Sequence, residues 1–226
     1  MARRIGGLYF GGDAYVEVAD SPELSPTEEI TVLARIRLNS LPPVRYYPIA
    51  KERSYRFFVD SDGRIYWQLN LNGTWAGNWI TSNTLLEVDE WYFIGCTYLA
   101  STGTARIFVD GELDKEDNPP TTGDITSSTY PVTIGHKVDQ QYYHGLIAHP
   151  RIYNIALEQS QIQELKSNPY ARVAMDNCVL WLPLTEHEGD IAHDYSGNGN
   201  HGTIYNARWT VRKPARVLTP ARVLSV

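Results

Sequence analysis

Apolar and polar residues alternate along much of the chain, and turn residues interrupt the alternation at short intervals. Between Glu29 and Leu38 the apolar residues take every second position, while Arg35 and Arg37 face the other way. A period of two is typical of a strand with one buried face. Similar patterns predict further strands over residues 5–10, 14–18, 55–59, 64–71, 92–99, 104–110, 132–135, 145–153, 178–184 and 203–205.

Turn chemistry separates these strands, as in the hairpin signals Asp60–Gly63 and Asp110-Gly111. One segment, 157–166, has helical spacing, with apolar residues at Leu157, Ile162 and Leu165. We expect this helix to cap one end of the fold. Many short strands without helices alternating between them predict an all-β, two-sheet antiparallel sandwich.

Composition narrows the functional classes. The 226 residues contain 15 Tyr and 6 Trp against 5 Phe, which suits strands and amphipathic surfaces. A net charge of −6 argues against nucleic acid as a partner. No apolar run approaches the roughly 20 residues of a membrane span, and the first residues lack a signal-peptide pattern. Cys96 and Cys178 each lie in a predicted strand. They are either two separate buried apolar residues or the partners of one inter-strand disulfide.

The segment His193–Gly202 has the composition of a tight loop, with three glycines, two asparagines, a serine and an aspartate. Glycine and asparagine accommodate positive φ angles. Oxygen atoms of Asp194, Gly197, Asn198 and Asn200 could supply about four of the roughly six to eight ligands that Ca²⁺ prefers. The alternative is a turn satisfied by its own Asx-type hydrogen bonds.

Several blocks resemble the laminin-G-like, pentraxin-like jelly rolls of the concanavalin A-like lectin/glucanase superfamily. In family order these blocks are LYFGGDAYVEVADSPEL, EWYFIGCTY, ARIFVDGEL and GLIAHPRIYNIALEQSQI. A fifth block, LWLPL followed by HDYSGNGNHGTIYNARW, opens the family's domain but comes last here. The resemblance implies a concanavalin A-like jelly-roll β-sandwich.

The displaced block has three explanations. The chain could be a circular permutant, because the first and last strands of a jelly roll are neighbours. Residues 176–210 could instead begin a second repeat, or complete the sheet of a neighbouring subunit. We favour the permutant, which predicts that strand 178–184 pairs beside strand 5–10.

The resemblance also implies a structural calcium ion at the 193–202 loop, and a non-catalytic module that binds glycans or mediates adhesion. The family's acidic residue in the strand-to-helix block is replaced here by Ala148 and His149. This departure removes one expected carboxylate ligand.

Glycan recognition needs aromatic platforms and planar polar groups. Tyr66, Gln68 and Asn70 share the face opposite the apolar residues of their strand, and Arg56, Phe58, Arg106 and Phe108 are expected to join them. Loop aromatics supply a second group of candidates. The predicted contacts are Trp75, Trp79, Tyr66, Gln68, Asn70, Tyr142 and Tyr143.

Glu112, Asp114 and Glu116 have the spacing of the carboxylates in laminarinase-type glycoside hydrolases of the same superfamily. On a regular strand all three would share one face, as glycoside hydrolysis requires. A solvated hairpin edge is the alternative that we favour, and we expect no catalytic residues.

The predicted domain covers residues 1–211, and residues 212–226 form a separate arm with two PARVL copies. Prolines in this basic, β-prone arm exclude a central strand. An arm of this kind could dock on a neighbouring copy by β-addition. The alternative function is therefore a structural subunit of a surface layer or virus particle, with self-association through the arm. Both functions predict an extracellular, cell-surface or virion location.

Overall fold

The computed structural model describes residues 6–75, 77, 79–137 and 141–210. These residues form one α-helix, α1 (Gln159–Ser167), and two short 3₁₀ turns, Pro22–Leu24 and Met175–Asn177. The strands, in chain order, are β1 (Leu8–Phe10), β2 (Tyr15–Val18), β3 (Glu29–Leu38), β4 (Arg45–Lys51), β5 (Tyr55–Asp60), β6 (Arg64–Leu69), β7 (Trp79–Leu85), β8 (Trp91–Leu99), β9 (Thr104–Val109), β10 (Glu112–Asp117), β11 (Val132–Ile134), β12 (His136–Lys137), β13 (Gln141–Tyr142), β14 (Gly145–Tyr153), β15 (Cys178–Trp181), β16 (Ile191–Ala192), β17 (Gly202–Tyr205) and β18 (Arg208–Trp209).

The strands form two antiparallel sheets of eight strands each, which confirms the predicted two-sheet antiparallel β-sandwich. The first sheet has the order β10-β9-β8-β3-β14-β1-β18, and β15 also pairs with β14. The second sheet has the order β16-β17-β2-β11-β4-β5-β6-β7. A small hairpin, β12-β13, completes the β-structure.

The main core lies between the two sheets. Alternate residues of facing strands meet there, including Val32 and Ile94 from the first sheet and Phe57 from the second. Trp67 of β6 is fully buried, and its indole Nε1 donates a hydrogen bond of 3.0 Å to the carbonyl of Thr97 in the opposite sheet. The alternation that the sequence shows in β3 therefore marks the inner face of the sandwich.

The helix covers the outer face of the first sheet rather than one end of the sandwich. Ile162 and Leu165 pack with Leu33, Phe93 and Phe108 in a second apolar cluster. The helix begins with a capping box between Glu158 and Gln161. The prediction that the helix caps one end of the sandwich was therefore wrong. The helix lies on the first sheet because the outward-facing apolar residues of that sheet must be shielded from water.

The two cysteines are free and buried on opposite sides of the first sheet. Cys96 lies in the core between the sheets, and Cys178 lies in the cluster beneath the helix. Burial raises the pKa of the Cys178 thiol to about 11. Both residues thus serve as small apolar side chains, and the alternative of a disulfide does not hold in this structure.

The C-terminal block forms strands within the sandwich of its own chain. β17 pairs with β2 and β18 pairs with β1. β15 does not pair with β1 as expected. Both strands pair with the same edge of β14, with Trp181 opposite Arg151 and Leu8 opposite Ile147. The expected pairing fails because β15 and β1 follow one another along that edge; the circular permutation stays a prediction.

Candidate functional site

The outer face of the second sheet carries most of the predicted glycan contacts. Cross-strand partners in a sheet share a face, and Arg56 of β5 pairs with Gln68 of β6, which pairs with Trp79 of β7. The next row pairs Phe58 with Tyr66. The alternation in β6 therefore places Tyr66 and Gln68 outward, as predicted.

Arg56 is the centre of this surface. Its Nε donates a hydrogen bond of 2.9 Å to Oε1 of Gln68, and its Nη1 lies 3.5 Å from a carboxylate oxygen of Glu52. The guanidinium also lies against the Trp75 ring, with Cζ 4.3 Å from the ring centroid. Arginine on an indole face gains both packing and cation–π stabilisation.

Trp75 is fixed through its backbone as well as its ring. Gln68 donates its Nε2 hydrogen to the Trp75 carbonyl at 3.3 Å. We name Arg56, Gln68, Trp75 and Trp79 the outer-face cluster. Trp79 is 44% exposed, so the cluster joins buried polar groups to an indole that faces solvent.

A row of aromatic rings lies beside the outer-face cluster. Phe58 stacks on Tyr66 with ring centroids 5.0 Å apart, and Tyr47 tilts against Phe58. Arg45 covers the Phe58 ring and forms a 2.9 Å ion pair with Asp60. Burial and the nearby Asp62 carboxylate raise the pKa of Tyr66. Its phenol therefore stays protonated at neutral pH and remains a hydrogen-bond donor.

Strand β4, which contains Tyr47, is not among the strands predicted from the sequence. Its segment RYYPIAK contains a proline and a register shift between Tyr46 and Ile49, so no regular alternation is visible. Strand β7 was missed because it lies at a sheet edge, where burial alternates only partly.

Tyr142 belongs to a second aromatic group, which forms between the β12-β13 hairpin and the second sheet. Tyr205 stacks on Tyr15 at 4.6 Å, Tyr15 lies 5.0 Å from His136, and His136 stacks on Tyr142 at 4.6 Å. Tyr15 and Tyr205 are paired residues of β2 and β17. Sequence reasoning found only Tyr142, because the stack depends on pairing between the two ends of the chain.

Four residues that the sequence places at the candidate ligand surface are buried or lie on the other sheet. Tyr143 is fully buried in the core, edge-on to Phe10 and Tyr46, so its ring has no face open to a ligand. Arg106 and Phe108 lie on β9 of the first sheet, contrary to expectation. Asn70 is buried and accepts a hydrogen bond from Thr126 Oγ1, so it anchors the Trp75 loop.

The Gly/Asn loop, residues 193–202, directs its polar groups toward its own backbone. Asp194 Oδ1 accepts hydrogen bonds from the amides of Trp181 and Ser196. Oδ2 accepts from the Ser196 hydroxyl and the Asn200 amide. These bonds fasten the loop to β15.

The asparagines of the same loop are engaged in a similar way. Asn198 and Asn200 donate their side-chain amides to the carbonyls of Cys178 and Val179. Among the described residues, no group of three or more His, Cys, Asp or Glu side chains could hold a metal ion. A calcium ion at the four predicted ligands would have to compete with the hydrogen bonds that Asp194 already accepts. Calcium binding stays a prediction.

Ala148 and His149, which stand where the resemblance leads one to expect an acid, are both buried, and neither can act as an anionic ligand. His149 has a φ of 51° and is 5% exposed. Burial, together with the positive charges of Arg151 and Arg35, lowers its pKa to about 3. The imidazole is therefore neutral at physiological pH, and Tyr170 packs edge-on against it.

The carboxylates of β10 are directed to three different partners. A register shift between Leu113 and Lys115 breaks the period of two at Asp114. Glu112 accepts hydrogen bonds from Gln159 and Gln163 of the helix, and Glu116 pairs with Arg106. Asp114 accepts from the amides of Asn83 and Thr84 in β7 and so links the edges of the two sheets. The bulge therefore breaks the common face that a regular strand would give these carboxylates.

The predicted boundary at residue 211 and the arm over 212–226 lie outside the described residues. Among the residues that the structure does describe, no helix is long and apolar enough to cross a membrane.

Comparison with known families is decisive for the fold. Residues 10–163, more than half of the chain, match the laminin G-like family described as the concanavalin A-like lectin/glucanases superfamily. The chain belongs to this family. A comparison with curated protein sequences gives no match.

Solved structures share the family's fold at low sequence identity. A proposed carbohydrate-binding protein from Bacteroides ovatus is 16% identical with a TM-score of 0.71, over 93% of this chain and 60% of its own length. The heptameric SAP-like pentraxin of Limulus polyphemus is 17% identical with a TM-score of 0.56, over 72% of this chain and 82% of its own. The CBM40 of the Ruminococcus gnavus IT-sialidase, bound to α2,3-sialyllactose, is 13% identical with a TM-score of 0.58, over 72% of this chain and 97% of its own.

Proposed function

We propose that this family member is a non-catalytic, lectin-like module that binds glycans on the outer face of its second sheet. The observation that carries the proposal is the outer-face cluster, in which Arg56 and Gln68 hold Trp75 from both its ring and its carbonyl. A pre-ordered aromatic ring binds a sugar face without the entropy cost of ordering it first.

The cluster combines the two kinds of group that sugar recognition needs. Trp75 and the half-exposed Trp79 supply apolar faces for the C–H side of a sugar ring. Tyr66 supplies a hydroxyl at the margin of the same surface, within 3.3 Å of an Asp62 carboxylate oxygen. The known structures that share the fold include proteins named for carbohydrate binding, which supports the same proposal.

The experiment is a glycan array followed by calorimetric titration of the best glycan. Trp75→Ala and Trp79→Ala should each weaken binding by about tenfold or more, equivalent to ~1.4 kcal/mol. Tyr170→Ala is the matched control, because Tyr170 is 45% exposed, close to the 44% of Trp79, but lies among the residues that follow the helix. Equal losses in all three variants, or no glycan bound on the array, would contradict the proposal.

A further inference from the structure

An open cleft of about 310 Å³ lies at the turn between β4 and β5. It is lined by the turn residue Arg53 and by the segment Thr126–Tyr130, whose members all carry hydroxyl groups. Thr126 lines the cleft and also contacts the Trp75 loop, because its Oγ1 accepts a 2.8 Å hydrogen bond from the Gly73 amide of that loop. The cleft therefore adjoins the loop that carries Trp75.

Arg53 has an unfavourable backbone conformation for its residue type. It occupies the turn between β4 and β5 with a φ of 64°, and the Ser54 amide closes this turn on the Lys51 carbonyl at 3.1 Å. Glycine would adopt this left-handed conformation without the steric cost that a Cβ brings. Backbone strain of this kind is frequent where a side chain is needed for binding.

The Arg53 guanidinium has unused hydrogen-bonding capacity. Its Cζ lies 5.4 Å from the centroid of the Tyr130 ring. Within the described part of the chain, no ion pair or hydrogen bond of this guanidinium is found. The ring thus orients the guanidinium while its five N–H donors stay available.

Neighbouring carboxylates are already paired with other cations. Glu52, the preceding residue, lies 3.5 Å from Arg56, and Asp20 forms an ion pair with the buried Lys51. Their negative charges are offset locally, so the Arg53 charge gives the cleft a positive character although the whole chain carries −6.

The opposite wall of the cleft is fixed in place. Ser128 donates its hydroxyl to the Glu52 carbonyl, and Lys51 donates to the Tyr130 carbonyl. Between these anchors the hydroxyls of Ser127 and Thr129 are exposed, and neither has a hydrogen-bond partner among the described residues. Donors held ready in this way suit a small anionic group with several acceptor oxygens.

We propose that this Arg53 cleft binds the carboxylate or sulfate group of an acidic glycan whose adjoining ring stacks on Trp75. The inference rests on the proposed glycan-binding function and narrows its ligand to acidic saccharides. A planar guanidinium pairs with either anion through two parallel hydrogen bonds, with Ser127 and Thr129 donating to the remaining oxygens.

Two matched pairs of ligands test the proposal. One pair is a uronic-acid oligosaccharide and its carboxyl-reduced form; the other is a sulfated oligosaccharide and its desulfated form. We expect the charged member of at least one pair to bind about tenfold or more tightly, and the pair that responds identifies the anion. Equal affinities within both pairs would overturn the acidic-glycan inference while leaving glycan binding intact.

Arg53→Gly separates a binding role from a structural one. This variant should unfold at a higher temperature because it relieves the left-handed strain, yet it should lose the preference for the charged glycan. Arg53→Lys should keep only part of that preference, since it retains the charge without the forked geometry. Arg172→Gly, at an exposed arginine elsewhere, should leave the preference unchanged. An unaltered preference in Arg53→Gly would also overturn the proposal.

Inorganic sulfate provides a readout that does not depend on any glycan. At constant ionic strength it should raise the unfolding temperature of the wild-type protein more than that of Arg53→Gly. If no glycan binds and this difference is present, the proposed function fails and the anion cleft stands. If sulfate has the same effect on both proteins, the cleft proposal fails.

Discussion

The Gly/Asn loop and the outer-face cluster are both rich in polar side chains, but they use them differently. In the loop, Asp194 and Asn200 bind the backbone of β15. In the cluster, Arg56 and Gln68 bind one another and the Trp75 segment, and indole rings remain at the surface. A dense group of ligand-type residues is therefore a weak sign of a binding site when its own backbone consumes the donors and acceptors. The side chains that remain exposed after these internal hydrogen bonds are made are the better indication of a binding site.

The largest effect should come from removing the Asp194 carboxylate. Asp194→Ala leaves the amides of Trp181, Ser196 and Asn200 without their acceptor. Unpaired donors of a partly buried network are costly, so we expect a loss of about 3 to 5 kcal/mol in the free energy of unfolding. Urea denaturation measures it.

Asp190→Asn is the control for this prediction, because Asp190 is exposed and bonds Ile204 through its backbone carbonyl. A similar small effect in both variants would show that the loop does not fasten β15, and the contrast with the outer-face cluster would disappear.

The next effect concerns His149, which is buried beside Tyr170. Its pKa of about 3 in the folded protein lies below the unfolded value of 6.5. The unfolded chain therefore binds the extra proton as pH falls, so the contribution to stability is complete above pH 6.5 and is lost between pH 6.5 and 3. At about 1.4 kcal/mol per pKa unit, the loss of stability over this window is at most roughly 5 kcal/mol.

His149→Asn should flatten that part of the pH profile, because asparagine tolerates the left-handed backbone and does not titrate. His187→Asn is a matched control, since His187 also has a positive φ, of 63°. Parallel profiles for wild type and His149→Asn would show that another group causes the acid sensitivity.

The sequence predicts the sandwich well and its functional surface only in part. Strand β3 has the predicted bounds, because one of its faces is buried along its whole length. The period of two in β6 correctly separates Gln68 from Trp67. Which strands lie beside β6 depends on pairing over long sequence distances, however, so Arg106 could not be assigned to the other sheet by periodicity.

The positions that carry the further inference show the same limit. Arg53 lies in the segment ERSY, residues 52–55. This segment contains neither the glycine nor the asparagine that is expected at a left-handed turn position. Its proximity to Tyr130 and Thr126 follows from tertiary folding alone. A residue type that disagrees with its backbone is visible only once the φ angle is known.

A smaller effect should follow from weakening the outer-face cluster. Arg56→Met keeps most of the side-chain stem but removes the bond to Gln68 and the charge over Trp75. We expect a loss of about 1 to 2 kcal/mol in stability, together with weaker glycan binding, because Trp75 is no longer held. Thermal unfolding and titration measure the two effects.

Arg172→Met, at an exposed site, controls for the loss of charge in that experiment. A stable Arg56→Met protein with unchanged glycan affinity would show that Trp75 does not need its support, and the cluster would then resemble the loop in having only a structural role.

The smallest effect is expected from calcium, and it tests the loop directly. Because both Asp194 oxygens accept hydrogen bonds and the Asn198 and Asn200 amides donate to carbonyls, ion binding would have to break bonds that the loop already makes. We therefore expect equal unfolding temperatures in EDTA, in magnesium and in calcium. A rise with calcium alone that Asp194→Ala abolishes would restore the metal site expected from the family resemblance. It would also show that the hydrogen-bonded loop rearranges to bind the ion, because stabilisation by a ligand requires preferential binding to the folded state.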